Sequence, residues 1–188
     1  MLIYFLVFII FCIRLLFLKL SLKNERLIIN GGGVEYGKKN SIILTIIHIL
    51  FYVFCLVEAV IKKPVFDDIS LVGIGLLVFS FLMLYYIANS LLKGIWTVKL
   101  MVAKNHIYNN HWLFKTFKHP NYYLNIFPEL IGLAMLCHAK FSFILLAPIY
   151  LIIIFIRIKQ ENRVLKEIII PNKFWNLLFS YFSKFSLK

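Results

Sequence analysis

The chain has 188 residues, 62% of them hydrophobic, and a formal net charge of +13. A soluble domain is about 45–50% apolar, and 19 Phe beside only 8 acidic residues cannot be covered by a water-facing shell. The composition therefore excludes an ordinary soluble domain and gives an integral membrane protein. Its Lys and Arg excess is assigned to loops facing anionic lipid, not to nucleic acid. Cys12, Cys55 and Cys137 all sit in apolar runs with no C-x-x-C pair, which indicates neither a disulfide framework nor a zinc site.

Five apolar segments follow in chain order: Leu2–Leu18, interrupted by Arg14; Ile42–Ile61, with His48 and Glu58; Ile69–Leu92, free of charge; Tyr122–Cys137, with Glu129; and Phe141–Ile156. The first lacks a basic n-region and a small-residue cleavage site, so it reads as an uncleaved helix. The last two have 16 residues each, about 24 Å as helix against a hydrocarbon core of about 30 Å. Only His138, Ala139 and Lys140 separate them, which predicts a tight helical hairpin of two half-length arms, one that either crosses or only dips into the bilayer. With the N-terminus outside, seventeen Lys and Arg fall on the inner side and three on the outer, which favours five spans with the C-terminus in the cytosol. The expected fold is an all-α polytopic bundle: a three-helix N-terminal part over 1–92, then a catalytic part over 93–188. The latter holds a cytosolic loop, the hairpin and an amphipathic tail from Phe174 to Leu187 that anchors at the interface.

Two glycine motifs are set aside. Gly32 to Lys39 satisfies G-x-x-x-x-G-K, but Lys39 stands where Ser or Thr would hold magnesium, and a membrane helix precedes it; it reads as a solvated turn. Gly73-Ile74-Gly75, inside the third segment, reads as a close-packing site between helices. Glu58 is expected to snorkel to the outer interface, and His48 to bond a neighbouring helix.

The dense region is Trp96 to Glu167. Pro120 suits the first turn of the fourth helix, with His119 at its cap, where Lys118, His119 and free N–H groups attract an anion. Tyr122, Asn125 and Glu129 follow at spacings of 3 and 4, placing a ring, an amide and a carboxylate on one face. Ionisable groups at membrane depth are costly and line a cavity or find a partner. Pro128 frees the carbonyl of Leu124. Arg157 with Glu161 and Arg163 with Glu167 are i,i+4 pairs. The second reads as a surface salt bridge, while the first either does the same or faces back towards Glu129 and His119.

These residues resemble the isoprenylcysteine carboxyl methyltransferase family of membrane enzymes. His106 stands thirteen residues before His119 in Lys118-His119-Pro120-Asn121-Tyr122; a helical hairpin follows, and then Arg157-Ile-Lys-Gln-Glu161. Asn24-Glu25-Arg26, Glu35-Tyr36-Gly37, His48, Glu58, Trp96-Thr97 and Glu129 resemble a bacterial branch that includes alkylpyrone O-methyltransferases. Two positions depart from the family pattern: Trp112-Leu-Phe114-Lys115 replaces Gly-x-Tyr-Arg, and Asn162 replaces a second acid. The resemblance implies a methyltransferase using S-adenosylmethionine from the cytosol and a lipophilic carboxylate or hydroxyl acceptor from the bilayer. It implies a cofactor site at Trp96, His106, His119, Pro120, Asn121, Tyr122, Tyr123 and Asn125, catalytic roles for Arg157, Glu161 and Glu129, and no metal. The expected location is a bacterial cytoplasmic membrane. Two alternatives stand beside it. One is an NAD(P)H-dependent reductase like the steroid 5-alpha-reductase superfamily, which places an acid where this chain has Asn125. The other is a non-catalytic membrane protein.

Overall fold

The structure, a computed structural model, describes residues 1–104 and 111–166. His106, Glu167 and the Phe174–Leu187 tail, each singled out in the sequence, lie outside the described residues. The fold is an all-α membrane bundle with one two-stranded ribbon. Helix α1 spans Leu2–Asn30. It runs well past the first apolar segment because no breaker intervenes before Gly31-Gly32-Gly33. Strand β1 (Val34–Tyr36) pairs antiparallel with β2 (Leu100–Val102), a ribbon that periodicity over three residues does not announce. Gly37, with φ 60°, turns the chain into α2 (Lys38–Lys62), so the G-x-x-x-x-G-K stretch is a turn, a short strand and a helix start. Lys63 adopts a left-handed conformation before Pro64, and the Asp67 side chain accepts from Ser70 N at 2.9 Å to cap α3 (Asp68–Tyr86).

A short helix α4 (Trp112–Thr116) leads to the hairpin. Its first arm begins as a π-helical turn over Asn121–Ile126 and continues as α5 (Phe127–Leu136); the second arm is α6 (Lys140–Val164). Pro128 sits in the first turn of α5 and has no N–H to return to Leu124, and the wider turn lies immediately upstream of it. Cys137 to Ala139 close the hairpin, with His138 at φ 52°.

Among the described residues four helices are long and apolar enough to cross a membrane: α1, α2, α3 with its π-helical extension to Leu91, and α6. Two expectations change. The fifth apolar segment is no half-span, because α6 continues through the polar residues Lys159 to Glu161 to a length of 25 residues. The fourth stays short and is packed inside the bundle against α3. There Gly73 and Gly132 face each other so closely that a Cβ on either would lie 2.7 Å from the other's carbonyl oxygen. Gly75 has open space and takes no part in this contact.

Glu58 does not snorkel outwards. It is buried, accepts from Phe141 N at 3.1 Å and from Ser142 N and Oγ at 2.7 and 2.6 Å, and so caps α6 while pairing with Lys62. Helix α2 packs on α6 and α5 on α3. Helix α1 contributes Ile3, Val7 and Ile10 to the core and is also tied by polar contacts, such as Asn24 Nδ2 donating to the Trp96 carbonyl at 2.8 Å and Val98 N donating to Ser21 Oγ at 2.9 Å.

Candidate functional site

Between α1 and α2 the bundle stays open, around a cavity of about 850 Å³. Its walls combine two polar nests with a long apolar face. Phe8, Phe11 and Leu15 of α1 line it from one side and Ile49, Val53 and Leu56 of α2 from the other. Several of these side chains are also exposed on the outer surface, so the cavity reaches the lipid-facing side of the bundle.

The first nest forms where the π-helical turn meets the end of α6. His119 Nδ1 lies 2.8 Å from Glu161 Oε2, and its Nε2 lies 3.2 Å from Asn162 Oδ1. Asn162, which departs from the family pattern, thus still holds the second ring nitrogen. Tyr122 OH donates to Glu161 Oε1, and Arg157 Nε donates to the same carboxylate at 3.2 Å and to Tyr122 OH at 3.3 Å. The other Arg157 nitrogens donate to Ser41 Oγ on α2 at 2.6 Å and to the Val98 carbonyl at 3.1 Å. Arg157 is 2% exposed and every one of its nitrogens has a protein acceptor, so it ties α2, α6 and the loop before β2 together. Trp96 is buried on the same side with its ring edge-on to Phe17, and its Nε1–H has no partner among the described residues. Lys118 and Lys99 line this mouth too. The Glu25 hydrogen bond holds the Lys99 ammonium above its ordinary pKa.

The second nest sits deeper. Glu129 is fully buried on α5, pairs with Arg14 of α1 and accepts from Tyr52 OH at 2.5 Å. Arg14 also donates to Asn125 Oδ1 at 3.1 Å, and Ser80 Oγ donates to the same amide oxygen at 3.1 Å. His48 Nδ1 meets Tyr150 OH at 2.9 Å, so His48 does bond a neighbouring helix, and its Nε2 is 3.6 Å from Glu129.

Of the residues singled out beforehand, Trp96, His119, Pro120, Asn121, Tyr122, Asn125, Arg157 and Glu161 all line the one cavity. Glu129 lies behind its wall. Tyr123 stands apart, half exposed, with its ring tilted against Phe127 at 5.8 Å. The Arg157–Glu161 pair faces back into the bundle, as one of its two readings had it; it meets His119 through Glu161, and Glu129 is not among the Arg157 partners. Sequence reasoning missed Arg14, Ser41, Tyr52 and Tyr150. A lone arginine inside an apolar segment was the available signal for the first; a tyrosine or serine in such a segment carries none.

With this geometry in place, comparison with known proteins is decisive about kinship. Residues 72–167 match the isoprenylcysteine carboxyl methyltransferase (ICMT) family. The chain belongs to that family. It is also 42% identical over 159 residues to an uncharacterized protein of Haemophilus influenzae, covering 85% of this chain and 92% of the relative. To the uncharacterized protein YpbQ of Bacillus subtilis it is 25% identical over 147 residues, covering 77% and 85%. No solved structure matches. ICMT membership supports a membrane methyltransferase in general. The matched stretch contains the whole first nest except Ser41, whereas Arg14, His48 and Tyr52 precede it.

Proposed function

We propose that the protein is an S-adenosylmethionine-dependent O-methyltransferase of a bacterial cytoplasmic membrane, acting on a lipophilic carboxylate or hydroxyl, with the Arg157 end of its cavity toward the cytosol. The observation that carries this reading is the single cavity joining the His119–Glu161–Tyr122–Arg157 nest to an apolar face open between α1 and α2. A charged, water-soluble donor and an oily acceptor need such a shared space with unlike ends. The charge bias of the connections supports the orientation.

The residues present fit the donor. When bound, it supplies a methyl group on a positively charged sulfur. Lys118, with His119 beside it at the N-terminal end of the hairpin's first arm, suits its carboxylate. Glu161 suits its ammonium group. The faces of Tyr122 and Trp96 suit the sulfonium, and the unpartnered Trp96 Nε1–H is a buried donor available to a ligand acceptor. Arg157 acts through Tyr122 and Glu161, holding both at fixed angles, and is a positioning residue. The apolar remainder of the cavity excludes water. Transfer of a methyl from a cation to an oxygen creates no new separated charge, so alignment in a dry space supplies most of the acceleration.

Thermal unfolding of the purified protein in detergent tests this reading. S-adenosylhomocysteine should raise the midpoint and NADPH should not. Stabilisation by NADPH alone would transfer the protein to reductase chemistry, and stabilisation by neither would favour a non-catalytic role.

A further inference from the structure

The inward side of α1 is a single stripe. From Ile10 it runs through Arg14, Phe17, Ser21 and Asn24 to Ile28 in alternating steps of four and three, so these side chains stack along one face. Arg14 belongs to the deeper nest. The next three positions all meet one short segment, Trp96 to Val98. The Phe17 ring stands edge-on to the Trp96 ring with 6.1 Å between centroids. Ser21 Oγ accepts from Val98 N at 2.9 Å, and Asn24 Nδ2 donates to the Trp96 carbonyl at 2.8 Å. A hydroxyl and an amide buried in the stripe of a membrane helix are costly unless bonded. Ser21 and Asn24 are 2% and 3% exposed, and both spend a hydrogen bond on the same three residues.

That segment lies between the π-helical extension of α3 and β2, in neither helix nor ribbon, so no backbone ladder fixes it. Its other side is held by Arg157, which donates to the Val98 carbonyl at 3.1 Å. The segment is therefore gripped from α1 on one side and from α6 on the other. Trp96, Thr97 and Val98 line the cavity, whereas Ser21 and Asn24 stand behind them.

We propose that Ser21 and Asn24 are positioning residues for the methyl donor, acting through the Trp96–Val98 segment. The proposal rests on the methyltransferase reading and adds to it a role for α1, which precedes the stretch shared with the ICMT family. The Trp96 indole has no hydrogen bond of its own among the described residues. Its place is set by Phe17 and by the backbone that carries it. Without Asn24 the Trp96 carbonyl loses its partner, and without Ser21 the Val98 N–H loses its own. Either loss favours a rotated segment whose polar groups reach other partners. That rotation swings the indole off the donor and takes the Val98 carbonyl away from Arg157.

The test uses the full chain in detergent with Trp112→Phe and Trp175→Phe, which leaves Trp96 as the one emitting tryptophan. S-adenosylhomocysteine is the probe, titrated by calorimetry well below the unfolding midpoint of each variant. Asn24→Leu keeps the bulk and removes the donor; it should weaken binding about tenfold and move Trp96 emission to the red before any ligand is added. Ser21→Ala should weaken binding about threefold, and Ser21→Thr, which keeps the hydroxyl, should restore the parent affinity. Leu22→Ala, on the exposed side of α1, should change neither reading. Affinities within about twofold of the parent in both Asn24→Leu and Ser21→Ala overturn the proposal even where the unfolding midpoint falls, because a purely structural tie lowers stability alone. If Asn24→Leu does not fold, Ser21→Ala against Ser21→Thr decides, and equal affinities of those two overturn it. Absence of binding by the parent protein defeats the methyltransferase reading instead. Trp96 emission without ligand then still scores the segment, and an unshifted spectrum in both variants shows that Ser21 and Asn24 do not position it.

Discussion

Arg157 distributes its donors over four partners from α2, α6, the π-helical turn and the loop before β2, and it is almost wholly covered. Arg14 has one amide and one carboxylate as hydrogen-bonding partners, comes from the membrane-length helix with the smallest buried share, and its side chain keeps 18% exposure. The first arrangement is a strut that fixes a tyrosine and a carboxylate at one end of the cavity. The second is a clasp, in which one ion pair ties the middle of α1 to α5 beside the cavity. Two arginines inside one bundle therefore do different work, and what separates them is the number of segments each one ties.

The comparison breaks most visibly at the clasp. Arg14→Leu leaves Glu129 as an unpaired buried charge and should cost about 3–5 kcal/mol in thermal unfolding, whereas Arg14→Leu with Glu129→Leu should regain most of it. Equal losses in the single and double variants would show that the pair is not what holds α1. At the strut, Glu161→Gln removes the negative charge shared by His119, Tyr122 and Arg157 and turns one of the two acceptor oxygens into a donor. It should weaken S-adenosylhomocysteine about a hundredfold, roughly 2.7 kcal/mol, with the bundle intact by circular dichroism.

Away from the Arg14 and Arg157 contacts the effects shrink. Glu58→Ala removes the α6 cap and should cost about 1 kcal/mol of stability, with methyl transfer unchanged in a turnover assay. Lys99→Met should cost a few tenths of a kcal/mol, since the ion pair with Glu25 is partly exposed. Because Glu25 raises the Lys99 pKa, that contribution is full below the ordinary lysine range near about 10.4 and fades as pH rises beyond it. Unfolding of the two proteins should therefore converge in strong alkali.

Much of this architecture was readable beforehand, and the exceptions share a cause. Apolar runs locate α1, α2, α3 and the hairpin because helices in lipid must be apolar for the length of the span. Helix ends were misjudged at α1 and α6, where polar helical turns continue the backbone beyond the membrane pattern. The motif Lys118 to Tyr122 with Arg157 and Glu161 located the strut, since its members are charged or unusual in lipid. The clasp stayed half hidden. Glu129 stood out, but Arg14 is 115 positions away, and no periodicity links residues that meet only after α1 folds over α5. Tyr52 and Tyr150 look like core aromatics until their hydroxyls are seen to meet Glu129 and His48.

The division of labour between the two nests is tested most directly by determining the structure with S-adenosylhomocysteine bound. The account predicts the ligand against Lys118, His119, Tyr122 and Trp96, with Arg14, His48, Tyr52 and Tyr150 left uncovered and facing the opening between α1 and α2. Ligand density resting on the Arg14 nest, with the His119–Glu161 nest empty, would contradict it.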